Sequence, residues 1–132
     1  MTRVRVVLVR PESPANVGAV ARALESFSDP VVLLLGGRDK EGDFETLIPL
    51  IRERVRAMVL FGEAREKIND RIGGTVATRL AASLEEAIGA AGDIASPGDV
   101  VLLSPGCASF DEFTDYKARG RQFQELVRRR ER

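Results

Sequence analysis

The sequence predicts an α/β fold: a Rossmann-like three-layer sandwich with a mainly parallel five-stranded sheet and helices on both faces. Three observations carry this expectation. Short aliphatic runs alternate with helix-period segments five times along the chain. The runs are close to continuously apolar, as strands covered on both faces must be. The length, 132 residues, suits one domain with one core, so residues 1–132 are expected to form a single unit.

The elements follow in order. Residues 4–9 are the first strand. Ser13-Pro14 reads as a helix N-cap followed by proline in the first turn. Val17, Val20, Ala21, Leu24 and Phe27 then keep helical spacing until Asp29-Pro30 ends it. Residues 31–35 form a second strand ending at Gly36-Gly37, where two glycines allow a sharp turn. After a loop, a helix runs to about Arg54, with Pro49 near its first turn because proline cannot sit deeper. Residues 57–61 are a third strand, 63–72 a short helix closed by Gly73-Gly74, and 75–80 a weaker fourth strand. Ser83 and Glu86 spell a capping box for a helix to about Ala95. Pro97-Gly98 makes a turn into the fifth strand, residues 100–104. Ser109 and Glu112 spell a second capping box for a last helix to about Arg129. The strand order expected is 4-3-2-1-5. It gathers the loops at residues 10–16, 36–43 and 104–111 at the carboxyl ends of the strands, where ligands of such sheets bind.

Composition excludes several classes. Lys plus Arg equals Asp plus Glu, 20 each, so net charge makes no case for nucleic acid. The basic ends, Arg3, Arg5, Arg10 and residues 128–130, read as solvated tails. No apolar run approaches the ~18 residues of a membrane span, and no signal peptide is expected. Cys107 is the single cysteine, so no internal disulfide can form, which fits a cytoplasmic protein. With no histidine, no metal site is expected, and Cys107 reads as a small buried or half-buried thiol, not a nucleophile.

Two loops carry chemistry. In Gly36-Gly37-Arg38-Asp39-Lys40, Lys40 is a mobile cation suited to a carboxylate or phosphate, and Arg38 a planar fork that Asp39 could orient. The alternative is solvated surface. The spacing of a P-loop, G-x-x-x-x-G-K-[ST], is absent. In residues 104–111, Ser109 stands at a helix start, which either favours an anion or simply caps the helix itself. Tyr116 and Phe123, seven apart, share one face of the last helix, with Arg119 between them.

In this order and spacing, VVLLLGGRDKEGDF, VLLSPGCASFDEF and YKARGRQF resemble the C-terminal domain of the Mur ligase that adds D-glutamate, over about residues 23–127. The resemblance implies a domain that closes over ATP held by a central domain. It implies that Lys40 and Ser109 hold the D-glutamate carboxylate and that Tyr116 lines the same pocket. ATP and Mg²⁺ belong to the full-length enzymes of that family; this chain is expected to carry no cofactor and no catalytic residue of its own. The first strand departs from the family, which has D-S-x-x-T-N there. Aligned on Asn16, this chain has Pro11, Glu12 and Ala15 at the Asp, Ser and Thr positions, which removes the nucleotide-contacting carboxylate and a hydroxyl.

Residues 3–23 instead resemble the opening of SPOUT-class RNA methyltransferases of the TrmH/SpoU type. Asn16 and Arg22 match that family's first motif, in which the arginine acts in methyl transfer. The later motifs of the knotted cofactor site are absent, so the match is read as vestigial. The expectation is therefore an engineered hybrid: residues 1–23 a methyltransferase-like βα unit, residues 24–132 a Mur-type domain, with the seam between Asn16 and Leu24. Two other functions compete with it, a component of the ATP-dependent ligase and a methyltransferase fragment. D-Glutamate is the expected residual ligand. No nucleic acid or membrane partner is expected, and the chain is a monomer or weak homodimer.

Overall fold

The computed structural model describes residues 5–8, 17–36 and 44–104. Within them the chain runs β1 (Arg5–Leu8), α1 (Val17–Ser26), β2 (Val31–Gly36), a 3₁₀ turn (Phe44–Leu47), α2 (Ile48–Arg54), β3 (Val55–Phe61), α3 (Arg65–Ile72), β4 (Ala77–Ala81), α4 (Leu84–Ile94) and β5 (Val100–Ser104). The strands form one sheet, every pair parallel, in the order β1-β5-β2-β3-β4.

That order corrects the expected 4-3-2-1-5 at one place: β5 lies between β1 and β2, and among the described residues β1 is an edge. The reason is side-chain chemistry. A strand with neighbours on both sides and helices above and below buries every residue. Val100, Val101, Leu102 and Leu103 meet that requirement and are all at most 1% exposed. The β1 run, by contrast, carries Arg5, a residue suited to an edge.

Two faces result from chain direction. Three connections, through α1, α2 and α3, run from β1 through β2 and β3 to β4 in one direction. Right-handed crossovers put all three helices on one face. The connection through α4 runs back across the sheet to β5, so the same handedness puts α4 on the other face. The side chains divide accordingly. Val31, Leu33 and Leu35 of β2 join Val20, Leu24, Ile51, Ile68 and Ile72 of α1–α3 in one cluster. Val32 and Leu34 join Ala87, Ile88 and Ala91 of α4 in the second.

Local features match the elements. Pro49 sits in the first turn of α2, where its missing N–H costs nothing. Ser83 caps α4: its Oγ accepts from the Glu86 N–H at 3.2 Å. The Glu86 carboxylate reaches back one residue further than a capping box usually does, to the Ala82 N–H at 2.8 Å. Gly73 closes α3 in an extended conformation, and the left-handed residue is Gly74, φ +81°. The capping box at Ser109 and the last helix lie outside the described residues.

A β-bulge marks the start of β3. Val31 pairs with Val55 and Val32 with Ala57, so Arg56 is the extra residue. Val55 and Met58 thereby share a face although they are three apart. The bulge turns Arg56 outward, and its guanidinium donates to the carboxylate of Asp99 and to the carbonyl of Ile94, the last residue of α4. Asp99, 4% exposed, also accepts from the Ser96 N–H at 2.9 Å. A buried carboxylate is thus satisfied, and the negative end of α4 meets a cation.

Candidate functional site: the carboxyl ends of β1, β5 and β2

The strand order brings three strand ends side by side. Leu8 of β1 pairs with Leu103, Leu34 of β2 pairs with the same Leu103, and Leu35 pairs with Ser104. The loops that the sequence singles out leave these three neighbouring ends. Inserting β5 between β1 and β2 keeps them together, and it makes β5 the strand reached by the reversing connection. Such a reversal is where open α/β sheets bind ligands.

The β2 end is built by contact with β3. Gly36 pairs with Phe61, and it extends one residue past the last β2–β5 pair, Leu35 with Ser104. A β-carbon on Gly36 would stand 2.7 Å from the Phe61 ring and closer still to the Phe61 carbonyl. Gly36 is therefore a strand residue that must lack a side chain, not the start of a free turn as its place in Gly36-Gly37 suggests. Phe61 itself is fully buried, within the α4-side cluster.

Of the residues the sequence proposes for function, Asn16, Lys40, Ser109 and Tyr116 lie outside the described residues, as do Arg38, Asp39, Cys107, Arg119 and Phe123. Arg22 is described. It is exposed on α1, and its Nη1 would lie 3.5 Å from a β-carbon on Gly18, one turn earlier. It therefore lies back along its own helix, the direction helical side chains take.

The opposite end of the sheet also has a feature that sequence reasoning missed. A cleft of about 510 Å³ is lined by Ser28, Asp29, Pro30, Glu53, Arg54, Val55 and Arg56, at the amino ends of β2 and β3. Arg54 crosses it to donate to the Phe27 carbonyl at 2.6 Å. The one signal in the sequence was a charge, Arg56, inside an apolar run. Arg54 also lies 3.9 Å from the Glu53 carboxylate while its Nε is buried without a hydrogen-bond partner among the described residues, and Arg56 is held by Asp99 and the Ile94 carbonyl. Among the described residues no group of three His, Cys, Asp or Glu side chains could hold a metal ion. No described helix is long and apolar enough to cross a membrane.

Comparison with known proteins places this geometry. A family model, Mur ligase, glutamate ligase domain, matches residues 5–107. The UDP-N-acetylmuramoylalanine–D-glutamate ligase of Syntrophus aciditrophicus (strain SB) is 70% identical over 113 residues, covering 86% of this chain and 25% of that protein. The enzyme of the same name from Salinibacter ruber (strain DSM 13855 / M31) is 47% identical over 123 residues, 92% of this chain and 27% of its own. The chain thus spans about a quarter of the length of the curated relatives it matches. Among solved structures, MurF ligase from Thermotoga maritima in complex with ADP superposes with a TM-score of 0.61 at 16% identity, over 98% of this chain and 30% of that one. The murein peptide ligase mpl from Psychrobacter arcticus 273-4 gives 0.60 at 8% identity, over 96% and 28%. These two likenesses show the shared fold. The family match begins at residue 5 and takes in residues 16–24, where a seam is expected; no comparison supports a methyltransferase-type opening or an engineered hybrid. The chain belongs to the Mur ligase family, as a glutamate ligase domain.

Proposed function

We propose that this chain is the D-glutamate-holding domain of a Mur-type ligase of peptidoglycan synthesis, without catalysis of its own. The observation that carries the reading is the adjacency of the β1, β5 and β2 ends, from which the three polar loops depart. The names of the relatives supply the amino acid, and the family resemblance supplies the residues: Lys40 and Ser109 toward the carboxylate, Tyr116 lining the pocket. A lysine ammonium and the N–H groups of a helix start are the donors a carboxylate needs. A nucleotide does not fit the residues present. The chain has no P-loop spacing, and Pro11 stands where the family has its nucleotide-contacting aspartate. A cytoplasmic location goes with this reading and with the single cysteine. So does a chain without nucleic-acid or membrane partners, either monomeric or weakly dimeric through a sheet edge such as β4, where Leu80 is 47% exposed.

The test is an NMR titration with D-glutamate, L-glutamate and Mg-ATP. Saturable shifts with D-glutamate that vanish in Lys40→Ala are expected, with no phosphate release from Mg-ATP. The absence of any D-glutamate response overturns the reading. Phosphate release above background overturns the non-catalytic part of it. A working ligase component is the alternative, favoured by the 70% identity to a full-length ligase. It predicts amide formation when the chain is mixed with the remaining domains of such a relative, and failure of that mixture excludes it. The finer proposal, that residues 1–23 are a methyltransferase-type unit joined to the ligase domain, rests on Asn16 and Arg22 and on Pro11, Glu12 and Ala15. A natural gene encoding all 132 residues in one frame would overturn the engineered origin. Calorimetry is expected to show no S-adenosylmethionine binding.

A further inference from the structure

We propose that β4 is the surface through which two copies of this chain associate: the β4 strands pair antiparallel across a two-fold axis at Leu80, and Arg79 of each copy meets Glu86 of the other. The proposal gives the dimeric form named above its geometry and does not use the D-glutamate site. Ala77, Arg79 and Leu80 of β4 are exposed, so this side of the sheet is open. Leu80, 47% exposed, is the large apolar side chain left uncovered among the described residues. Successive residues of a strand point to opposite faces. Arg79 pairs with Val59, which belongs to the α4-side cluster, and Leu80 pairs with Leu60 of the other cluster. Arg79 therefore stands on the face of α4. Glu86, exposed in the first turn of α4, is on that face too. Its Oε2 accepts from the Ala82 N–H at 2.8 Å, which holds the carboxylate beside the end of β4. Each β4 edge thus carries a cation and, further along, an anchored carboxylate. A two-fold pair keeps every side chain on its own face, so one residue of β4 must lie opposite itself. Centred on Arg79, the pair would set two like charges opposite each other, which is destabilising. Centred on Thr78, it would turn Arg79 to Ala77 and away from Glu86 of the other copy. Centring on an end residue leaves most of the strand unpaired. Centred on Leu80, it covers Leu80 with Leu80 and sets Arg79 opposite Ala81, next to the Ala82 whose N–H holds Glu86. The strand contact is five residues a side, against the ~20–30 of a standard interface, so the association is weak.

The test is sedimentation velocity on the 132-residue chain from about 10 µM to about 1 mM, the range in which a weak pair forms. The chain is expected to pass from monomer to dimer across it. Leu80→Lys, Arg79→Glu and Glu86→Arg are each expected to stay monomeric, with little change in the thermal melt because all three positions are exposed. An equimolar mixture of Arg79→Glu and Glu86→Arg is expected to restore the dimer, since both pairs across the axis then join opposite charges. A chain that stays monomeric throughout overturns the proposal, as does a dimer that survives Leu80→Lys. Failure of the mixture to associate overturns it as well, because the two variants then lose association for a reason other than this pairing. If Glu86→Arg does not fold, Glu86→Lys takes its place with the same expected outcomes. The D-glutamate titration reports on a different part of the sheet, so either reading can fail while the other stands.

Discussion

The two faces of the sheet are built from different stock. On the face of α1, α2 and α3, the helices bury Leu24, Ile51, Ile68 and Ile72, with Phe44 and Leu47 of the 3₁₀ turn filling between them. On the other face α4 meets the sheet through Ala87, Ile88 and Ala91, with Ala90 and Ile94 partly buried beside them. Large side chains fill the space between layers; alanines let a helix backbone come close. The first face is therefore sensitive to lost volume and the second to added volume.

Substitutions that exploit this difference should separate the faces. The largest effect is expected from Ile68→Ala on the α3 side, a loss of about 2–5 kcal/mol measured by urea unfolding, because a buried branched side chain leaves a cavity. The mirror experiment, Ala91→Leu in α4, should cost about 1–3 kcal/mol through overcrowding. If Ala91→Leu is instead neutral, the α4 interface is loose and the contrast between the faces is lost. Asp99→Ala tests how the end of α4 is held, since Asp99 receives the Arg56 cation that also holds the Ile94 carbonyl. It leaves the Ser96 N–H without its acceptor while Arg56 turns to water, so about 1–3 kcal/mol is expected in a thermal melt. The smallest effect belongs to Ser83→Ala, about 1 kcal/mol, from loss of the α4 N-cap. It should speed amide exchange in α4 and leave α3 unchanged.

Much of this was legible in the chain because it is local. The helix spacing of Val17, Val20, Ala21, Leu24 and Phe27 predicts a helix, and α1 spans Val17–Ser26. Ser83 and Glu86 predict a cap, and the cap is there. The run at residues 100–104 predicts a strand with its bounds. The place of β5 was not legible. Each of its residues is compatible with several neighbours, and the choice between β1 and β2 depends on pairing across about a hundred residues of chain, where no local period carries information.

The candidate site divides the same way. Residue type marked Gly36, Lys40 and Ser109 for attention, since cations and helix starts have their chemistry wherever they stand. Why Gly36 must be glycine was hidden, because the residue that forbids a β-carbon, Phe61, is 25 positions away and reads as the end of an ordinary apolar run. Arg56 and Asp99 were hidden likewise: each reads as a surface charge until the bulge in β3 and the start of β5 bring them together. By itself, then, the sequence determined what depends on neighbours three or four residues apart: the elements, their caps and their apolar faces. Only the tertiary structure decided what depends on strands meeting side by side. That includes the order of the sheet, the close contact of Gly36 with Phe61, and the juxtaposition of the three strand ends from which the candidate site departs.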